Sequence, residues 1–473
     1  MIETMRVDGL CKRNLETLIV DHMHFFLMKG EILGIIGLYD SGRSMLAKIL
    51  AGIETASEGE ICLEGKPVSI QDVRHAHQLG IFCVRAKSTL IPDLTVIENM
   101  CLLHTDAGNR FSFPNKNLAE RAKALLLSMG IDINPKEKCR VLPLNIQHQI
   151  EICRAFFCGA KALILDDITN TYTLEEQEEL SAMLLRLQRY GLSMILTGSR
   201  AEQMVSVCDR IITMRRGRDA GHFFRDEFSV SVIEKSLTGE EKTVYEPMEA
   251  MDWSAPVFSC RDVCSKSLQD FSIAVYPGEV VGFVGRRGRI ASDVAGLFNG
   301  SNPAVCGSVT IEGKEYTQEK QMNWAMSRCV GYIEHYKNGI FPKLSVQENM
   351  TVVSLDNYAR GIHISRRLER FAVTEYLGPF GIPESVLEKR MSTQNSLLQM
   401  NASLYRWMLK NVKVLVMNDV FSGTDILMRN STDQFIRQAQ KKGIGIIIVS
   451  SSEADLRRVC TRIHEIRDGR IVE

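Results

Sequence analysis

Residues 29–45 read KGEILGIIGLYDSGRSM. An apolar run ends at Gly37, a short polar turn follows, and MLAKILAG (45–52) then repeats its apolar residues with helical spacing. Strand, glycine-rich turn and helix in that order aim backbone N–H groups outward from a helix N-terminus, where a phosphate is stabilised. Gly37, Asp40, Ser41, Gly42, Arg43, Ser44 and Met45 are therefore the candidate phosphate-binding residues of this stretch.

Working outward, the same pattern returns. KGEILGIIG (29–37) matches PGEVVGFVG (277–285), LTVIENM (94–100) matches LSVQENM (344–350), and ALILDD (162–167) matches VLVMND (414–419). CDRIITMRRGR (208–218) likewise matches CTRIHEIRDGRIV (460–472). Pairs in one order, each about 250 residues apart with a drift of a few residues, mean two copies of one domain. We place the first copy at 1–237 and the second at 257–473. The stretch between them, 238–256, is acidic, carries Pro247 and Pro256 and has no periodicity.

Within each copy, strand-like runs such as SMILT (193–197) and GIIIVS (445–450) alternate with helical ones. Leu118, Ala122, Leu125 and Met129 share one helix face; Leu180, Leu184 and Leu187 share another, and Gly191 marks that helix's stop. Strands apolar throughout predict a sheet covered on both faces, with crossover helices. The chain of 473 residues is 45% hydrophobic and carries 57 basic and 57 acidic residues, a balance that argues against nucleic acid as a partner. Its 13 cysteines show no CxxC pair, which suggests reduced thiols and a cytosolic protein. No apolar stretch approaches the roughly twenty residues of a membrane span.

GLYDSGRSML, VIENM with QENM, AKALILDD, the SSSE segment (450–453), the paired CDR…RRGR and TRI…RDGR endings, and LTGEEKTVYEP together carry a family resemblance. The whole chain resembles the tandem ATP-binding subunit of bacterial carbohydrate ABC importers, the ribose, galactose and xylose type. The resemblance implies an α/β fold. It consists of two tandem P-loop NTPase nucleotide-binding domains, each a mixed sheet covered by helices plus a helical subdomain. It also implies ATP and Mg²⁺ as cofactors, pairing of the two halves, integral-membrane permease subunits as partners and, indirectly, a sugar-binding protein. The location it implies is peripheral, on the inner face of the cell membrane, with docking through a groove near Leu94–Met100 and Leu344–Met350.

The motifs that carry chemistry depart from the family pattern. Arg43 stands where a Lys would bridge the outer phosphates; it keeps the charge but is longer and forked. Ser44 and Asp166 are placed to hold Mg²⁺. Asp167 stands where the family has a catalytic Glu, and the missing methylene draws the carboxylate back by on the order of 1 Å. In the second half Gly285, Gly288, Arg289 and Ser292 remain as candidate nucleotide contacts, but Ile290 and Ala291 replace the second glycine and the cation. Asn418 replaces the Mg²⁺-side Asp, with Asp419 beside it. The signature loop, which would cover a γ-phosphate, reads Leu142, Pro143, Leu144, Asn145, Ile146 in the first half and Gln394, Asn395, Ser396, Leu397, Leu398 in the second; Pro143 lacks both hydroxyl and N–H. Ser199 and Ser451 occupy the switch-histidine positions, Ala86 replaces the Gln that reaches Mg²⁺, and no aromatic precedes the first loop to stack on adenine. Two readings follow: an ATPase subunit with weak turnover, or a non-hydrolysing scaffold of a sugar permease.

Overall fold

The computed structural model describes residues 2–14, 17–103, 116–169, 172–239, 253–285, 290–360, 363–380, 382–450 and 452–472. The chain divides into two compact units, Met1–Lys242 and Thr243–Glu473. Most of the expected linker, 238–256, lies outside the described residues.

In the first unit, strands β1 (Glu3–Asn14), β2 (Thr17–Met28), β4 (Glu58–Leu63) and β5 (Lys66–Val68) form an antiparallel sheet in the order β2-β1-β4-β5. A second sheet contains β3 (Ile32–Gly37), β6 (Ile81–Arg85), β7 (Ala162–Asp166), β8 (Ser193–Gly198), β9 (Arg210–Arg215) and β10 (Arg218–Phe224). Its order is β10-β9-β3-β8-β7-β6; all pairs are parallel except the β10 edge. The apolar run of β3 is divided between two cores. Ile32 and Ile36, with Leu163, Leu165, Met194 and Leu196, pack towards helices Leu144–Phe157 and Leu174–Arg189. Leu33 and Ile35, with Ile164 and Ile195, pack instead with helix Arg43–Leu50 and the antiparallel strands. Each such side chain contributes roughly 1.5–3 kcal/mol of burial, which is why no polar residue interrupts the run.

The second unit repeats this plan. Strands β11 (Phe258–Cys264), β12 (Phe271–Val275), β14 (Cys306–Ile311) and β15 (Lys314–Tyr316) pair antiparallel as β12-β11-β14-β15. With β13 (Val280–Val284), β16 (Gly331–Ile333), a two-stranded ribbon β17 (Ala359–Arg360) and β18 (His363–Ile364), β19 (Val414–Asn418), β20 (Gly445–Ser450), β21 (Arg462–Arg467) and β22 (Arg470–Val472), the main sheet runs β16-β19-β20-β13-β21-β22.

The duplication extends to single hydrogen bonds. Arg210 Nε donates to Glu31 Oε1 at 2.9 Å and its Nη2 to the Phe26 carbonyl at 2.6 Å; Arg462 does the same to Glu279 at 2.6 Å and to the Ala274 carbonyl at 2.7 Å. The paired LTVIENM and LSVQENM motifs have one structural job. Thr95 with Glu98, and Ser345 with Glu348, form capping boxes on the helices Val96–Cys101 and Val346–Thr351. Asn99 accepts from the Ile91 N–H at 2.8 Å and donates back to its carbonyl at 3.1 Å, as Asn349 does with Phe341 at 2.8 and 2.9 Å.

Three expectations need correction. The second face of the main sheet is covered by an antiparallel sheet as well as by a helix, because β1 and β2 alternate buried and exposed residues and pair with each other across bulges. In helix Lys116–Ser128 Leu118 and Ala122 are buried as expected, as is Met129 just beyond it, but Leu126 joins them while Leu125 is only half-buried: the stripe within the helix follows the i, i+4, i+8 row. Val96, Met100, Val346 and Met350 are interior, so most of the segments Leu94–Met100 and Leu344–Met350 braces the loop before them; the exposed apolar side chains there are Leu344 within the second segment and Ile91, Leu102, Leu103 and Phe341 beside the two. The stop at Gly191 (φ 85°), directly after helix Leu174–Arg189, agrees with expectation. The thirteen cysteines are free thiols. Among the described residues no helix is long and apolar enough to cross a membrane.

Candidate functional site

Two glycines shape the turn after β3. A Cβ on Gly37 would lie 2.2 Å from Ser41 Oγ, and one on Gly42 would lie 2.2 Å from the Ile19 carbonyl oxygen; Gly42 is also left-handed at φ 94°. Asp40 takes φ 62°, which Asp tolerates better than most residues. Ser41 N–H donates to the Leu38 carbonyl at 3.1 Å, and the Ser41 carbonyl accepts from the Gly217 N–H at 2.9 Å, so the turn is pinned from both sides. Helix Arg43–Leu50 then starts from Gly42 with no side-chain cap, which leaves its first N–H groups for a ligand. Ser41 Oγ is buried without a hydrogen-bond partner. A buried hydroxyl left unsatisfied costs about 1–3 kcal/mol, and a phosphate oxygen would satisfy it.

Arg43 is buried in this turn and folds back on it. Its Nη1 donates to the Gly37 carbonyl and, at 3.2 Å, to the Leu38 carbonyl. Its Nη2 reaches both carboxylate oxygens of Asp167, at 2.9 and 2.7 Å. Ser44 Oγ donates to Asp167 Oδ2 at 3.4 Å. Asp167 sits in a left-handed turn at φ 54° beyond β7, its N–H bonded to the Thr197 carbonyl at 3.2 Å. Asp166, the last residue of β7, accepts from Thr197 Oγ1 at 2.7 Å; burial pushes its carboxyl above the usual carboxylate range, and the neighbouring Asp167 charge adds to the effect. Ser44, Asp166 and Asp167 thus bring hydroxyl and carboxylate oxygens together, a hard-oxygen set of the kind that holds Mg²⁺. The difference from expectation lies in Asp167: its carboxylate is taken up by Arg43, and Arg43 in turn grips a protein carboxylate.

The second unit keeps the backbone and changes the chemistry. Asp419 repeats the left-handed turn at φ 48°, its N–H bonded to the Val449 carbonyl at 2.8 Å. Asn418 Nδ2 donates to Tyr332 Oη at 3.4 Å, and Asn299 Nδ2 donates to the same oxygen at 3.1 Å. Asn418 brings no negative charge and so would hold Mg²⁺ more weakly than the carboxylate of Asp166. Gly285 is buried just beyond β13. Gly288 and Arg289 lie outside the described residues, as do Arg286, Arg287 and Ser451; Ser292 falls in helix Ile290–Asn299.

The signature positions also diverge. Pro143 precedes helix Leu144–Phe157 and gives it no side-chain cap, whereas Asn395 caps helix Ser396–Lys410 by accepting from the Leu398 N–H at 2.9 Å. Ser199 is buried, its hydroxyl without a hydrogen-bond partner.

Sequence reasoning missed a polar ladder on helix Leu144–Phe157. His148 Nδ1 lies 2.8 Å from Tyr172 Oη; Glu151 Oε1 accepts from the Thr89 N–H at 2.7 Å; Arg154 Nη2 donates to Thr89 Oγ1 at 3.2 Å. Burial raises the Glu151 carboxyl and lowers the His148 imidazole. The ladder ties down the loop after Ala86, itself bonded through its N–H to the Asp166 carbonyl at 3.1 Å. Its signal was available as His148, Glu151 and Arg154 at i, i+3, i+6 in helix Leu144–Phe157.

Residues 20–170 and 268–422 both match the ABC transporter family. The ribose import ATP-binding protein RbsA 1 of Rubrobacter xylanophilus is 28% identical over 99% of this chain and 94% of its own length. The ribose import ATP-binding protein RbsA of Caldanaerobacter subterraneus subsp. tengcongensis is 26% identical over 99% and 95%. Among solved structures, the ADP conformation of the ATP-binding cassette MJ1267 is 19% identical, with a TM-score of 0.45, and covers 50% of this chain and 96% of that one. With two matched segments in one order, which together span more than half of its length, the chain belongs to the ABC transporter family.

Proposed function

We propose that this chain is the ATP-binding subunit of a carbohydrate importer, of the ribose-import kind, which binds ATP·Mg²⁺ in its first unit and hydrolyses it slowly or not at all. The observation that carries the importer reading is similarity along nearly the whole length to ribose import ATP-binding proteins. Nucleotide binding is supported by the turn of Gly37, Ser41 and Gly42, with Ser44 and Asp166 as the Mg²⁺ oxygens. The subunit would sit on the inner face of the membrane against permease subunits, and through them serve a sugar-binding protein. Exposed Ile91, Leu102 and Leu103 suit that contact, as does a second-unit groove of about 230 Å³ lined by Tyr332, Phe341, Val352 and Trp407.

The Arg43–Asp167 pair favours a second reading, a non-hydrolysing scaffold, because both carboxylate oxygens of Asp167 are turned to the guanidinium rather than to a water. Two measurements separate the readings. Titration of a fluorescent ATP analogue with Mg²⁺ should saturate in the roughly millimolar range and weaken in Arg43→Ala; no saturation removes nucleotide binding. Steady-state phosphate release should stay near background and be unchanged in Asp167→Asn. Turnover that Asp167→Asn abolishes would instead make this a working ATPase.

A further inference from the structure

We propose that Cys11, His22 and Glu58, in the antiparallel sheet of the first unit, form a binding site for a thiophilic divalent cation of the zinc class. Their ligand atoms all lie within 4.8 Å of one another. Zinc bonds of about 2.0–2.3 Å put ligand atoms on the order of 3.5 Å apart, so small rotations of the exposed His22 and Glu58 side chains around the buried Cys11 complete the set. Thiolate, imidazole and carboxylate together select zinc over the hard cations that suit Ser44 and Asp166. Three protein ligands leave a fourth position to solvent.

The strand register builds this cluster. Between β1 and β2 the pairing steps from Leu10↔Met23 to Lys12↔Val20, so Asp21 and His22 both face Cys11 across a bulge. Between β1 and β4, Cys11 stands directly across from Glu58. His22, left-handed at φ 50°, donates its backbone N–H to Cys11 Sγ at 3.3 Å, which fixes the sulfur beside it. Its Nδ1 lies 2.7 Å from Asp21 Oδ1, and Asp21 is itself held by Arg218. This is the carboxylate–histidine arrangement that orients an imidazole for metal, leaving Nε2 as the ligand atom. Among the described residues the ion pair that competes for Glu58, Arg13 Nε to Glu58 Oε1 at 3.8 Å, is exposed and weak. Of the three ligands, Glu58 also lines a cavity of about 470 Å³, with Leu10, Glu54, Ser57 and Glu60.

A second observation is independent of the first unit. In the second unit the same register places Cys264 across from Cys306, and Asp270, at φ 52°, takes the place of His22 before Phe271. All three positions therefore carry metal-ligating residue types in both copies. On binding, Cys11 releases its thiol proton to solvent and the cation takes the freed electron pair, with no redox change.

The full chain, titrated with Co²⁺ under reducing conditions, should develop a thiolate-to-cobalt absorption band that Zn²⁺ displaces. Cys11→Ser should abolish it, and the exposed-site variants His22→Asn and Glu58→Gln should each weaken binding about tenfold or more. Asn tolerates the left-handed backbone at 22, so that variant reports on binding even if Cys11→Ser fails to fold. Absence of the band, its survival in folded Cys11→Ser, or unchanged affinity in both His22→Asn and Glu58→Gln would overturn the site. A band lost only in Cys264→Ser or Cys306→Ser would overturn it equally.

Discussion

At the end of β7 the chain carries Asp166 and Asp167; at the end of β19 it carries Asn418 and Asp419. The backbone is the same in both places, with a left-handed aspartate whose N–H bonds the neighbouring strand. Only the side chains differ. In the second unit the end of the strand is settled by neutral hydrogen bonds from Asn418 and Asn299 to Tyr332. In the first, a buried carboxyl sits beside a guanidinium–carboxylate pair in which Arg43 is 4% and Asp167 16% exposed. Such a pair is in itself weak evidence for stability, since buried ion pairs can often be replaced by neutral groups without loss. The second unit keeps one carboxylate, Asp419, and replaces the acid before it with the neutral Asn418.

The comparison is broken most directly by giving the first unit the second unit's loop residue. Gly42→Ile copies Ile290. Its Cβ would meet the Ile19 carbonyl, part of the backbone, at 2.2 Å in a left-handed conformation that β-branched residues avoid. We expect the first unit to lose more than about 3 kcal/mol in denaturant unfolding. A loss below about 1 kcal/mol would mean that the two loops are interchangeable and that the glycine turn is no constraint.

A smaller effect is expected from copying Asn418. Burial raises the Asp166 carboxyl in the folded protein, so the native state holds its proton more tightly than the unfolded state does. Stability from this group is therefore present below the unfolded value of about 4 and is lost as pH rises through the folded value. Asp166→Asn lacks that slope. Its stability relative to the parent should rise between about pH 4 and neutrality, read as unfolding midpoints across that range. A constant difference would show that Asp166 is ionised at no cost, as an exposed acid would be.

What the sequence disclosed and what it withheld divide along the same physical line. Strands such as β3 and β8 were legible because both faces are buried and their residues must all be apolar, and the duplication was legible because the glycine turns recur. The Arg43–Asp167 contact was not, since it joins residues 124 apart and depends on a side-chain rotamer that no local pattern fixes. The antiparallel strands were obscured by their bulges, and with them the meeting of Cys11, His22 and Glu58. Asn418 was legible as a lost charge, but its bond to Tyr332 was not.

The smallest difference between the units lies at the signature positions, and it isolates what a cap contributes. Asn395 accepts from the Leu398 N–H, so Asn395→Ala should cost the second unit about 1 kcal/mol. Pro143 offers helix Leu144–Phe157 no side-chain acceptor, so Pro143→Ala should stay within about 0.5 kcal/mol. Equal losses, measured by chemical denaturation, would mean that Pro143 stabilises its helix by another route, such as its fixed φ. A silent Pro143→Ala beside a costly Asn395→Ala would mean that the second unit's helix end is already satisfied by its own side chain, while the first unit's N–H groups remain open to solvent or to a ligand.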